Sequence, residues 1–216
     1  MTRFTSIDPA TGDTVWEGPA ASAEQVAAAV TAARAAFPDW ADRPRQDRID
    51  AVLRYQAALK ARAPAMAEAI SRETGKALWE TTAELGSGQL MAECLAEADL
   101  PTGVFNLIQG ARDTGAALLD QPIDALMFTG SGAAGAHFRR KFAEDPHVIL
   151  ALELGGNNPL VVWEAADAEA VAGIVVQSAF ITTGQRCSCA RRLIVPEGPQ
   201  GDAIIEAVAA LVDRLI

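Results

Sequence analysis

From about Thr81 onward the chain alternates short apolar runs with helix-forming stretches, and this alternation constrains the fold more than any other feature. "GVFNLIQG", "DALMFTG", "HVILALELGG", "NPLVVW" and "RRLIVP" have the length and apolar content of strands. "GQLMAECLAEA", "TGAALLDQ", "AAGAHFRRKFAED", "DAEAVAGIVVQSAFIT" and "GDAIIEAVAALVDRLI" have the pattern of helices. Strands joined through helices run parallel, because a helical crossover returns the chain to the same end of the sheet. Strands that are apolar throughout are covered on both faces. The expectation is an α/β fold with a doubly wound, Rossmann-like parallel sheet.

The residues before Thr81 follow a different pattern. "FTSIDPATGDTVWEGPA" places β-prone runs around the turn formers Asp8-Pro9 and Gly12-Asp13, as in a hairpin. Ser22 and Gln25 form a capping box ahead of a helix whose apolar face is Val26, Val30, Ala33 and Phe37, and Pro38 is expected to end it. A second helix is expected over "RQDRIDAVLRYQAALKAR", and Pro64 is expected to start a third that runs to "SRETGK".

Charge and cysteine content exclude whole classes of function. The 216 residues carry a formal charge of -10, which argues against nucleic acid or an anionic membrane as partner, because phosphate affinity needs a basic face. No apolar run reaches membrane-spanning length, and the opening lacks the order of a secretion signal, so a cytoplasmic location is the default expectation. The three cysteines, Cys94, Cys187 and Cys189, are too few and too uneven for a disulfide framework. No metal site is expected, since there is no C-x-x-C and neither His137 nor His147 is spaced as a co-ligand. Cys94 reads as core packing, and both histidines as surface groups.

Three motifs remain that can carry chemistry. "ALMFTGSGAAGAHF" joins a strand to a helix through Gly130, Gly132 and Gly135, a G-x-G-x-x-G turn that presents helix amides to a pyrophosphate. Glu153, in "LELGG", stands where an acidic residue could hold a ribose hydroxyl. It could equally be a general base raised by apolar neighbours, or the partner of an arginine. Cys187, in "FITTGQRCSCARR", lies among Arg186, Arg191 and Arg192, cations that favour a reactive thiolate. If it is a nucleophile, Glu153 is a better-placed proton acceptor than either imidazole.

"FTGSGAAG" at 128–135, "LELGGNNPLVV" at 152–162 and "GQRC" at 184–187, in this order and spacing, resemble the aldehyde dehydrogenase superfamily. "DPATGD" and "ETGK" resemble its amino-terminal part. Asn157-Asn158 and "GQRCSCARRLIV" are most similar to the branch that oxidises N-succinylglutamate 5-semialdehyde in arginine breakdown. The resemblance implies Cys187 as nucleophile and Glu153 as base. It also implies a cofactor, NAD or NADP, held by Gly130, Ser131, Gly132, Ala133, Ala134 and Gly135 with Leu154 and Gly155. It divides the chain into hairpin and helices at 1–80, a dinucleotide-binding segment at 81–154 and the start of a catalytic domain at 155–216.

The resemblance also implies losses. Family members are over twice this length. An internal deletion between "ETGKALWET" and "GQLMAECLAEA" would remove an asparagine oxyanion donor and a ribose-binding lysine, and a carboxy-terminal truncation would remove much of the catalytic domain. Impaired aldehyde oxidation is therefore expected. Two other readings stay open: a nucleotide-binding remnant that associates with itself or with an intact homologue, and a cofactor-free thiol esterase.

Overall fold

Phe4 and Trp16 meet at 5.0 Å between ring centroids across the hairpin that opens the chain. Strand β1 (Arg3–Ile7) pairs antiparallel with β2 (Thr14–Pro19). Asp8 Oδ1 accepts from the Ala10 amide, and Gly12 supplies the positive φ of the turn. This computed structural model describes residues 3–82 and 88–215. Contacts gather them into two compact units, Met1–Ile123 and Asp124–Ile216. The junction where the internal deletion was expected includes residues 83–87, which lie outside the described residues.

Helices dominate the first unit: α1 (Ala23–Asp42), α2 (Arg45–Thr74), the single turn α3 (Leu78–Thr81), α4 (Gly88–Glu97) and α5 (Arg112–Leu119). The Ser22–Gln25 capping box is present in both directions, Gln25 N–H to Ser22 Oγ and Ser22 N–H to Gln25 Oε1. The core joins Ala58, Leu59 and Met66 of α2 to Cys94 of α4, with Tyr55, Leu90 and Met91 around them, so Cys94 is a packing residue as expected.

Three local expectations fail in this unit, each for a physical reason. Pro38 does not end α1, because proline's fixed φ is itself helical. The helix stops at Arg43, which the following Pro44 forces into an extended conformation. Phe37, counted on the apolar face, is exposed. Pro64 does not start a new helix, since α2 runs through it. Buried Ala58 and Leu59 before the proline, and Met66, Ala67 and Ile70 after it, lie on one continuous helix, so packing outweighs the lost backbone bond. "GVFNLIQG" is not a buried strand. Its backbone is irregular, and Phe105 and Leu107 are exposed. A strand needs a neighbour for its amides and carbonyls, and among the described residues none lies beside this one.

The second unit is α/β. Strands β3 (Ala125–Gly130) and β4 (Ile149–Leu154) run parallel in register, Ala125 opposite Ile149 and Gly130 opposite Leu154. Helix α6 (Gly132–Lys141) covers one face, where Phe138 meets Phe128 edge-on at 4.7 Å. Strand β5 (Asn158–Val161) runs parallel to β6 (Ala190–Ile194). Helices α7 (Ala168–Phe180) and α8 (Pro199–Val212) pack together around Ala172, Val175, Val176 and Ile204. The predicted parallel α/β class is present, but the sheet is carried as two separate pairs. The expected cover on both faces is also incomplete. Met127 and Ile149, on the β3–β4 face away from α6, are 83% and 67% exposed. Among the described residues no helix is long and apolar enough to cross a membrane.

Candidate active site

The glycine turn closes the carboxyl ends of β3 and β4, where ligands bind in open α/β sheets. Its three glycines have different reasons to be glycine. A Cβ on Gly130 would enter the Phe128 ring, and one on Gly135 would come within 2.7 Å of Leu154 Cδ1, so both serve close packing. A Cβ on Gly132 would meet nothing within 4 Å, so the space beyond the first turn of α6 is open. Ser131 is the N-cap, its Oγ accepting from Ala134 N–H at 3.2 Å, which leaves the hydroxyl proton free to donate outward. The amides of Gly132 and Ala133 belong to the first turn, where the helix itself supplies no acceptor. This is the division of labour a pyrophosphate needs, with one glycine for helix–sheet packing and one for close approach. Leu154 lies on the helix side beneath Gly135, and Gly155 N–H donates to Gly130 O at 3.0 Å. These two residues brace the loop.

Glu153 faces the other way. On β4 it sits opposite Thr129, on the uncovered face. It is exposed, so the apolar enclosure anticipated for it is absent among the described residues. No ion pair between it and an arginine or lysine is present among the described residues.

The cysteine segment follows α7. A 3-10 turn, Ile181–Gly184, carries Thr182 at φ 54° and Thr183 at φ 53°, followed by Gly184 at φ 67°. Two β-branched residues in the left-handed region are costly, on the order of 1–3 kcal/mol each, and persist only where the surroundings hold them. Here those surroundings can be named. Thr182 is fully buried, Arg191 Nη2 donates to Gly184 O at 2.7 Å, and Gln185 Nε2 donates to Thr183 Oγ1 at 2.6 Å. The Cys189 thiol, buried, donates to Ile181 O at 3.6 Å. Cys187 is exposed at the turn between them.

Two arginines expected to favour the Cys187 thiolate do something else. Arg191 holds Gly184 O, and Arg192 Nη2 donates to Asn157 O at 3.2 Å. Sequence reasoning did not assign a role to Asn158, whose Nδ2 donates to Cys187 O at 2.6 Å and to Cys189 O at 3.0 Å. The one available signal was the polar residue opening an otherwise apolar strand. Only Gly155, Gly156 and Asn157 separate β4 from β5, so backbone length limits Glu153 and Asn158 to about 18 Å. The linker thus joins the carboxyl end of one parallel pair to the amino end of the other. His137 and His147 are both exposed, as expected.

The model of the aldehyde dehydrogenase family matches residues 1–89 and 84–216. An N-succinylglutamate 5-semialdehyde dehydrogenase of Caulobacter sp. (strain K31) is 49% identical over 290 residues, covering 99% of this chain and 60% of the relative. One from Pseudomonas fluorescens (strain Pf0-1) is 38% identical, covering 94% and 57%. The chain therefore spans about 60% of the length of such relatives. The alignment runs over 290 residues against the chain's own 216, and the family matches the chain in two pieces that overlap at residues 84–89. Among solved structures, a succinate-semialdehyde dehydrogenase from Burkholderia pseudomallei has a TM-score of 0.90 at 23% identity, covering 99% of this chain and 60% of its own. An NADP-dependent glyceraldehyde-3-phosphate dehydrogenase from Bacillus halodurans C-125, complexed with NADP, has a TM-score of 0.89 at 23% identity, covering 99% and 62%.

Proposed function

The chain belongs to the aldehyde dehydrogenase family, and from that premise we propose that it holds the nucleophile, base and dinucleotide loop for oxidising an aldehyde to a carboxylate. The names of its relatives indicate N-succinylglutamate 5-semialdehyde, an intermediate of arginine breakdown, as substrate. One observation carries the reading: of three cysteines only Cys187 is exposed, on a braced loop tethered to the strand that follows Glu153.

In this reading the Cys187 thiolate attacks the aldehyde carbon, a C–S bond forms and the carbonyl π electrons move to oxygen. The Cys187 amide donates to that oxyanion. Ser131, Gly132 and Ala133 would hold the dinucleotide's pyrophosphate, and NAD(P)+, when bound, would accept the hydride lost from the former aldehyde carbon as the oxyanion electrons re-form the C=O of a thioester. Glu153 takes a proton from water, which adds to the resulting Cys187 thioester. The C–S bond then breaks, the thiolate leaves and the carboxylate departs. The resemblance implies that an internal deletion after "ETGKALWET" removes a second oxyanion donor. Loss of one such donor costs on the order of 10²–10³ in turnover, so slow turnover is part of the reading.

The test is aldehyde-dependent NADH formation. Cys187→Ala should abolish it, a loss of at least about 10³-fold. Glu153→Gln should slow turnover by about 10²–10⁴ and let the acyl-enzyme accumulate, visible by intact mass. Turnover unchanged in Cys187→Ala overturns the reading. The bare face of β3–β4, which carries Glu153, favours a second reading in which the chain binds nucleotide without turnover, alone or beside an intact homologue. Saturable NAD binding with no thioester, even in Glu153→Gln, would select that one.

A further inference from the structure

Asn158 makes two hydrogen bonds that only its side-chain chemistry can make. Both of its acceptors are carbonyl oxygens, those of Cys187 and Cys189, so the contacting atom is the amide nitrogen with both protons in use. Its Oδ1 faces Gly156, where a Cβ would come within 3.3 Å, so the glycine leaves room for the amide. The side chain is half-buried at the first position of β5, opposite Ala190. It therefore ties the start of one strand to the loop leading into its parallel neighbour. Holding Cys187 O fixes the peptide plane after the cysteine, and holding Cys189 O keeps the neighbouring thiol packed toward Ile181 O. The left-handed Thr182–Gly184 run just before it needs such restraint to persist.

We propose that Asn158 is a positioning residue for the Cys187 nucleophile, acting by this double donation. The role rests on the reading of Cys187 above, but its test needs neither aldehyde nor dinucleotide. Donor count and size place Asp at different ends of the order among substitutions. A donor-based role ranks Asn above Ser, with one donor, then Ala, with none, and lowest Asp, whose carboxylate would face two carbonyl oxygens. A role in filling space ranks Asp next to Asn and Ala last.

The experiment treats the full chain and its Asn158→Ser, Asn158→Ala and Asn158→Asp variants with iodoacetamide and reads each cysteine by peptide mass. Cys189 is buried in the native loop, and Cys94 lies buried in the other unit as a control for unfolding. Labelling of Cys189 should rise several-fold in the Ser variant, about ten-fold in Ala and furthest in Asp, with Cys94 unchanged. The Cys187 labelling rate should depart from wild type in the same order. Equal protection of Cys189 in all four chains, or Asp behaving like Asn, overturns the proposal. If the Ala and Asp variants also expose Cys94, the Ser variant decides: partial protection supports the role and wild-type protection overturns it. Should the Cys187→Ala assay fail while this order holds, the catalytic reading falls and the tether stands.

Discussion

The two units solve the same problem with different kinds of contact. In residues 3–82 and 88–123 most backbone groups are satisfied inside a helix or the hairpin, and the distant ties are side-chain packing of α2 on α4 and single bonds such as Thr114 Oγ1 to Ala21 O. In residues 124–215 the backbone itself needs a distant partner, since β3 must find β4 across a helix and β5 must find β6 across thirty-odd residues. The consequence is visible at the prolines and at the bare strand face. Helix α2 absorbs Pro64, because each turn satisfies its own backbone and packing supplies the rest. The β3–β4 pair leaves Met127 and Ile149 in solvent, because a sheet cannot cover itself. The candidate residues lie in the second unit on three separate segments, the turn after β3, the end of β4 and the loop before β6.

Several measurements can break or sharpen that contrast. The largest stability effect should come from Met66→Ala, which opens a cavity in the α2–α4 core and should cost about 2–5 kcal/mol by urea unfolding. Cys94, its neighbour, should label faster in that variant. An equal rise at Cys189 would mean that the two cores melt as one. Ser22→Ala removes half of the capping box and should cost about 1 kcal/mol. No change in the urea midpoint would show that α1 draws its stability from packing alone.

A smaller effect of opposite sign is expected in the cysteine segment. Thr183→Gly removes a β-branched residue from φ 53° and should stabilise the chain by up to about 1 kcal/mol, less whatever the Gln185 contact contributes. Destabilisation instead would mean that this hydrogen bond outweighs backbone strain. The smallest effect concerns pH. The Glu93 carboxyl is held below its ordinary range by Gln89 and by Arg62, which also reaches Glu97. A depressed carboxylate stabilises the fold above its unfolded pKa, roughly 4.3, and that share disappears as pH falls through the lower folded value. The urea midpoint should therefore drop slightly more steeply below pH 4.5 in the parent than in Glu93→Gln. The surface setting keeps the difference small.

The elements legible in the sequence were those whose evidence is local. The hairpin, the capping box, Cys94 as packing and the strand–turn–helix of residues 125–141 all follow from turn residues, caps and periodicity. "GVFNLIQG" misled because β-propensity records a willingness to pair, and no partner lies beside it among the described residues. Pro38 and Pro64 misled because a local break signal was read without the contacts on either side. Of the candidate site, Cys187, Glu153 and the glycines stood out by chemical type. Asn158 did not, because its role exists only once Cys187 and Cys189 have been brought to it.

The sequence by itself determined which groups are available: two thiols, Cys187 and Cys189, in an arginine-rich segment, one carboxylate at a strand end, and a glycine turn able to admit a phosphate. Tertiary structure decided how they are disposed. It directed Glu153 to an open face, turned Arg191 and Arg192 onto backbone carbonyls and tied the cysteine loop to β5. The reason is one of range: side-chain type is fixed residue by residue, whereas exposure, pairing and hydrogen-bond partners depend on segments far apart in the chain.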